Sequence, residues 1–316
     1  MKRHVVWAGA ALFVMAVLLP ACTPKHVKAG LLIVAAGDIA CDPGDPHFDG
    51  GAGTSNHCQQ AATANLIASA DPTAVLALGD EQYECAGVQA FAQSYDPTWG
   101  QFKAITYPVP GNQEYNSSGG TGCDANGQAS GYFQYFGVAA GDPGKGYYSV
   151  DVGTWHIIAL NVNCSAAGGC KAGSPQEAWL KADLAGHHNV CTLAFWHQPR
   201  FSSGSNGNDD HTDQFWVDLA QAHADVVLNG HDHDYERFAP QDPNQQQVSS
   251  GIREFVVGTG GEDHGSFSGT AQPNSVVRNA DTFGVLELSL HPQSYDWSFV
   301  PAEGGAFTDS GTGSCH

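Results

Sequence analysis

Five times along this chain a short apolar run ends in a side chain that can ligate a metal, and four of those ends lie beside a glycine. Leu31–Ala36 runs into Gly37-Asp38, and Ala74–Leu78 into Gly79-Asp80-Glu81-Gln82-Tyr83. Ile105–Val109 is followed by Pro110-Gly111-Asn112-Gln113-Glu114, Thr192–Trp196 by His197, and Asp225–Leu228 by Asn229-Gly230-His231-Asp232-His233. Runs of this length without polar alternation are the pattern of strands covered on both faces. In an open α/β sheet, sites assemble at the carboxyl ends of the strands. Asp38, Asp80, Asn112, His197, His231 and His233 are therefore expected along one edge. Their mixture of oxygen and imidazole donors suits first-row transition metals.

Further apolar runs read as strands: Trp155–Asn161, Glu254–Val257, Phe283–Leu290 and Ser294–Val300. Helices are expected at Asn56–Ser69, Ser174–Ala185 and Asp213–Ala222. The second opens on Ser174-Pro175-Gln176-Glu177, a capping residue followed by proline at the first helical position and an acid at the third. Strand and helix alternate to about residue 240, after which strands dominate, which predicts an α/β layered sandwich with an antiparallel end. Long Gly/Ser/Asn/Asp stretches at 41–55, 116–130, 202–210 and 258–279 read as loops, functional or disulfide-tied.

Twelve basic against 32 acidic residues give a formal charge of −20, so the chain as a whole repels nucleic-acid phosphates and no nucleic-acid partner is expected. A phosphate substrate needs a local positive field, which a metal pair can supply. Residues 1–21 read as a targeting segment, with Lys2-Arg3 preceding the uncharged run Val5–Leu19. Leu19-Pro20-Ala21-Cys22 resembles a bacterial lipobox, which would make Cys22 the lipidated first residue of the mature chain and the lipid its only membrane contact. The alternative is an ordinary cleaved signal peptide. A tether over 22–30 and one domain over 31–316 follow. Without Cys22 eight cysteines remain, an even number that predicts disulfides in an exported chain. Cys164 with Cys170 and Cys41 with Cys58 are candidate pairs.

Read in order, GDIA, GDEQY, GNQE, FWH and GHDH resemble the calcineurin-like metallophosphoesterase superfamily, from about Leu31 to Phe238. Tyr83, Ala40 where other branches carry a histidine, and Tyr235-Glu236-Arg237 are similar to its purple acid phosphatase-like branch. The resemblance implies a four-layer α/β/β/α sandwich with mixed sheets. It also implies two metal ions: one held by Asp38, Tyr83 and His233, the other by Asn112, His197 and His231, with Asp80 bridging. Ferric iron plus a divalent ion (iron, zinc or manganese) fits, because a phenol with an ordinary pKa near 10 stays ionised only on a strongly acidic metal.

The implied activity is hydrolysis of small phosphate monoesters, with water attacking phosphorus directly. Asn112, Arg200 and Arg237 are candidate substrate contacts. One position departs from the pattern. Gln113 replaces the histidine that supports the leaving group, and an amide donates a hydrogen bond but transfers no proton. General acid catalysis contributes roughly 10²–10⁴-fold. Either turnover is slow, good leaving groups are preferred, or another group substitutes, His211 being the candidate. Alternatives are a phosphodiesterase of the same fold and a metal- and phosphate-binding protein with weak turnover. The expected location is the cell envelope, outside the cytoplasm.

Overall fold

The computed structural model describes Met1 and residues 30–316 apart from residue 268. Apart from Met1, the targeting segment, Cys22 and nearly all of the tether lie outside the described residues. Among the described residues, thirteen strands form two sheets. In the six-stranded sheet, β1 (Leu31–Ala36), β2 (Ala74–Ala77) and β3 (Thr106–Pro108) run parallel. Across β1 the sheet continues antiparallel through β11 (Gly284–His291), β12 (Ser294–Pro301) and β13 (Asp309–Ser314). The seven-stranded sheet has the order β10-β8-β9-β7-β6-β5-β4. Its centre is parallel: β5 (Trp155–Ala159), β6 (Cys191–Phe195), β7 (Val226–Asn229) and β9 (Arg253–Val257). β4 (Tyr148–Val152), β8 (Tyr235–Phe238) and β10 (Ser275–Asn279) add antiparallel margins.

Strand side chains alternate between faces, and that alternation assigns the layers. Trp155, Ile157 and Ala159, with Leu193 and Phe195, Val226 and Leu228, and Phe255 and Val257, join one core with Ile33, Ala35, Leu76 and Leu286 of the other sheet. The intervening Ile158, Ala194, Val227 and Val256 join a second core with Leu180, Phe215, Trp216 and Leu219. Those partners sit on α4 (Pro175–Gly186) and α5 (Asp213–Gln221), which cover the outer face of the seven-stranded sheet. The other outer face is covered by α1 (Gln60–Ala70), α3 (Ser130–Phe136) and the turns around Phe91, Tyr95 and Trp99, which follow the short α2 (Val88–Ala90). Two mixed sheets between helical layers are the α/β/β/α sandwich expected from the sequence.

Local chemistry fixes the ends. Ser174 caps α4 by accepting from the Glu177 backbone N–H, with Pro175 at the first helical position. The sequence reading missed α3 and the strands β4, β8, β10 and β13; β10 lies inside a stretch read as loop. β13 explains the difficulty. Its Gly311 and Gly313 carry no apolar signal, yet a Cβ at either would collide with the ring of Trp297 or Tyr295 on β12. The strand contributes backbone pairing and room for its neighbour's aromatics.

Four disulfides join Cys41–Cys58, Cys85–Cys123, Cys164–Cys170 and Cys191–Cys315. Both candidate pairs are present. The last one clasps the chain end after β13 to the start of β6, so it ties one sheet to the other. Among the described residues no helix is long and apolar enough to cross a membrane.

Candidate metal centre

The loops leaving β1, β2, β3, β6 and β7 meet at one end of the sandwich. Asp38, Asp80 and His231 each adopt positive φ, at 59°, 48° and 72°. For residues other than glycine this region is sparsely populated, and three cases at one locus mark stored strain held by the surrounding fold. The adjacent glycines allow the approach. A Cβ on Gly111 would lie 2.1 Å from Asp80 Oδ1, and one on Gly79 would lie 2.6 Å from His197 Nδ1.

Six of the seven predicted donors touch one another. The Tyr83 hydroxyl lies 2.7 Å from Asp38 Oδ1, 3.1 Å from Asp80 Oδ2 and 3.0 Å from His233 Nε2. His233 Nε2 is 3.2 Å from Asp38 Oδ1. His197 Nε2 is 3.0 Å from Asp80 Oδ2, and His231 Nδ1 is 3.3 Å from His197 Nε2. Asp38 and His197 are fully buried. Asn112, the seventh, stands at the margin, where its Oδ1 accepts from Gln198 Nε2 at 3.3 Å.

The second layer sets tautomers. His197 Nδ1 donates to the Leu78 carbonyl at 2.9 Å, which directs Nε2 inward as a lone-pair donor. His233 Nδ1 pairs with Asp263, and Glu262 Oε2 lies 3.5 Å away, so its Nε2 also faces inward. This carboxylate–histidine arrangement is the usual support of a metal-bound imidazole. Asp38 Oδ2 accepts from the His231 N–H at 2.7 Å, and Asp80 Oδ1 from the Gln113 N–H at 2.8 Å. Each carboxylate therefore keeps one oxygen anchored to backbone and one directed at the cluster. More lone pairs than protons converge here, and that donor set fits a pair of hard-to-borderline cations.

Electrostatics agree. Burial alone would raise the Asp38 carboxyl, but His233 and His197 outweigh it and bring it down to about 2. Burial opposes charge on His197, yet Asp80 and Asp38 push it up to about 9. The His231 imidazole is lowered by burial and by His197. Burial, Asp38 and Asp80 push the Tyr83 phenol well above its ordinary value. Only a strongly Lewis-acidic partner would ionise it in this setting.

The remaining candidates divide. Gln113 sits at the rim, half-buried, its Oε1 accepting from Asn116 Nδ2. His211 is not brought to the cluster. It rides on the turn Asp210–Thr212, two-thirds exposed, with Nδ1 2.8 Å from Asp209, and lines a separate cavity of ≈ 440 Å³ with Lys171 and Gln214. Arg200 and Arg237 are engaged elsewhere as well. Arg200 pairs with Asp213 and lies over the Phe201 ring. Arg237 makes a two-pronged contact with Asp309, at 2.6 and 3.0 Å, and covers the face of Trp297. Carboxylates on neighbouring elements recruit both guanidiniums, so the expected substrate contacts are replaced by internal ion pairs.

Sequence reading missed Asp263 and Glu262, which reach His233 from a loop 30 residues away, and the part played by Glu114. The Glu114 carboxylate accepts from the N–H groups of Asp80, Glu81 and Gly111 at 2.9, 3.0 and 2.7 Å. It clamps the loop after β2 to the loop after β3. A cleft of ≈ 380 Å³ lined by Asn206, His233, Asp263 and His264 opens over the cluster on the His233 side.

A two-sheet sandwich with this donor set at its strand ends is the architecture of a metallophosphoesterase. The chain belongs to the calcineurin-like phosphoesterase family, whose model matches residues 31–235. Among characterised proteins it is similar to purple acid phosphatase 23 of Arabidopsis thaliana, 29% identical over 217 residues, covering 56% of this chain and 44% of that protein. The chain thus spans less than half the length of that relative. Among solved structures, the purple acid phosphatase PPD1 of yellow lupin (Lupinus luteus) seeds superposes with a TM-score of 0.68 at 19% identity, over 90% of this chain and 53% of that one. GAP50, described as the anchor in the inner membrane complex of Plasmodium, gives 0.62 at 15% identity, over 92% of this chain and 90% of its own. These two likenesses show the shared fold.

Proposed function

We propose that this chain hydrolyses phosphate monoesters at a binuclear metal centre, outside the cytoplasm. One observation carries the reading. A single oxygen, Asp80 Oδ2, lies 3.1 Å from the Tyr83 hydroxyl and 3.0 Å from His197 Nε2, touching both halves of the donor set. A carboxylate in that position can bridge. Asp38, Tyr83 and His233 would hold one ion, and Asn112, His197 and His231 the other. A bound pair supplies Lewis acidity toward the phosphoryl oxygens and a water activated for in-line attack. The buried, upshifted phenol of Tyr83 favours ferric iron beside a divalent ion. Asn112 would also offer its amide to the substrate, and Gln113 would offer a hydrogen bond to the leaving oxygen without a proton to give. Four disulfides support an exported location.

The test uses metal-reconstituted protein with p-nitrophenyl phosphate and its bis-ester. The expected result is about two ions per chain, chelator-sensitive release from the monoester and a much slower diester reaction. Faster diester turnover would make the chain a phosphodiesterase, and tight phosphate binding without turnover would make it a binding protein. Iron-loaded protein should be coloured by tyrosinate charge transfer; Tyr83→Phe should lose the colour. Colourless protein with iron confirmed bound would remove Tyr83 from the ligand set.

A further inference from the structure

A cavity of ≈ 530 Å³ opens beside the turn that carries Asn112 and Gln113, and among the described residues no charged side chain lines it. Tyr115 and Phe133 supply its rings, Pro143 and Ala166 its aliphatic wall, and Gln128 and Ser130 its polar margin. The volume is that of a small-ligand pocket. Two connections place it next to the metal centre. The first is the turn Gln113–Tyr115, a 3₁₀ helix in which the Tyr115 N–H donates to the Asn112 carbonyl at 3.1 Å. Side chains three residues apart on such a helix eclipse one another, about 6 Å apart along its axis. Asn112 and Tyr115 therefore stand on one face, with ligand position and cavity wall a single turn apart.

The second connection is Asn161. Ala159 of β5 pairs with Phe195 of β6, so Asn161 leaves its strand level with His197 on the neighbouring one. The buried Asn161 Nδ2 donates to the Tyr115 hydroxyl at 2.8 Å, and its Oδ1 accepts from Asn163 Nδ2 at 3.1 Å. Asn163 Nδ2 in turn donates to the Gly111 carbonyl at 3.0 Å. These bonds fasten the loop after β5, which carries Ala166 and the Cys164–Cys170 disulfide, to the loop that carries Asn112. Gly127 closes the same wall: a Cβ there would lie 2.8 Å from the Tyr115 carbonyl oxygen. Hydrogen bonds and a disulfide thus fix the shape of the cavity.

We propose that this cavity seats the ring of the leaving group, and that the chain's substrates are monoesters of phenols. The proposal rests on the binuclear reading above and narrows it. Tyr115 and Phe133 offer faces and edges to an aromatic ring. The uncharged lining offers nothing to further phosphate groups, and Arg200 and Arg237 are engaged by Asp213 and Asp309. Gln113, one residue from Asn112, has no proton for the leaving oxygen. A phenol, with an ordinary pKa near 10, departs as its anion far more readily than an aliphatic alcohol. Water adds to phosphorus, the ester P–O bond breaks with its electron pair on the phenolate oxygen, and solvent protonates the phenolate. Ring binding and unaided departure select the same esters.

The test measures binding to the metal-reconstituted full chain by calorimetry. Benzylphosphonate, which keeps the outline of phenyl phosphate without a hydrolysable bond, is compared with methylphosphonate, hexylphosphonate and orthophosphate. Benzylphosphonate should bind about tenfold tighter than methylphosphonate, the scale of burying part of one ring. Ala166→Trp, at an exposed position of the wall, should fill the cavity and abolish that preference, and Phe133→Leu should weaken it. The ratio of affinities is the readout, because any change at the metals cancels from it. Equal affinities for the benzyl and methyl ligands in the wild type, or a preference untouched by Ala166→Trp, would overturn the cavity assignment and leave the metal centre standing. Tighter binding of hexylphosphonate than of benzylphosphonate would overturn the aromatic assignment. Failure of every ligand, orthophosphate included, to bind would remove the binuclear reading and the proposal together.

Discussion

Glu114 directs neither carboxylate oxygen at the donor cluster, yet it accepts from four backbone N–H groups, those of Asp80, Glu81, Gln82 and Gly111, that position Asp80. Glutamine at this place would turn an N–H toward one of those donors and release the loop. Glu114→Gln should therefore lower kcat and metal affinity about 10–100-fold, the range for groups that orient metal ligands. Unchanged metal content and rate would remove Glu114 from the positioning machinery. Gln113 carries the opposite expectation. Its backbone N–H already anchors Asp80, so Gln113→His keeps that bond and adds a proton donor at the rim. Turnover of alkyl phosphates should rise by more than turnover of p-nitrophenyl phosphate, toward the 10²-fold scale of general acid catalysis. An equal or lower rate on both would assign leaving-group support elsewhere. The donors themselves were legible because each follows an apolar run, and a strand end fixes direction. Asp263 and Glu262 were not, since their contact with His233 closes across a loop with no periodicity. Arg200 and Arg237 show the same limit from the other side. A guanidinium beside a motif reads as a phosphate contact until the fold brings Asp213 or Asp309 to it.

At the scale of elements, continuous apolar runs marked the central strands, and the cap-proline-acid signature marked α4 to within a residue. The margins were hidden. β8 reads as Tyr-Glu-Arg-Phe, and its buried Glu236 is satisfied by Ser203 and Ser275 from other elements. β13 is serine and glycine against aromatic rings. Such strands hold their place by pairing and by what joins them to the rest, which gives the Cys191–Cys315 disulfide a measurable role. It closes a loop of 124 residues and fastens the terminal strand of one sheet to the first residue of β6 in the other. In the chain-entropy view a loop of that length stabilises the fold by roughly 4–5 kcal/mol. Replacing both cysteines with serine should lower the urea midpoint accordingly, with loss of amide protection beginning in β13. A midpoint within error of the wild type would mean that β12–β13 pairing alone holds the margin.

For the whole molecule, the junction between the two sheets also predicts how stability follows pH. Asp225, just before β7, accepts from the Thr192 N–H at 2.9 Å, and the His316 N–H and ring lie 3.0 Å from its Oδ1 beside the disulfide. Burial pushes its carboxyl up to about 6, and the hydrogen bond from Thr192 and the contact with His316 only partly offset that. In the unfolded chain the group titrates near 3.8. Between those values the folded state holds a proton that the unfolded state has lost, so stability falls as pH rises. The contribution is fully present below about pH 4, is lost through about pH 6, and is on the order of 3 kcal/mol. Asp309 works in the other direction. Although burial opposes it, Arg237 and Tyr235 hold its carboxyl low, so it adds stability that disappears as pH falls. The two trends overlap in any single pH profile of the wild type. The difference between wild type and Asp225→Asn separates them, because the amide does not titrate and every other carboxylate cancels. That difference, measured by urea unfolding of metal-free protein, should shrink in the wild type's disfavour from pH 4 to 6.5. A flat difference across that window would show that Asp225 is ionised in the fold throughout, with His316 compensating its burial.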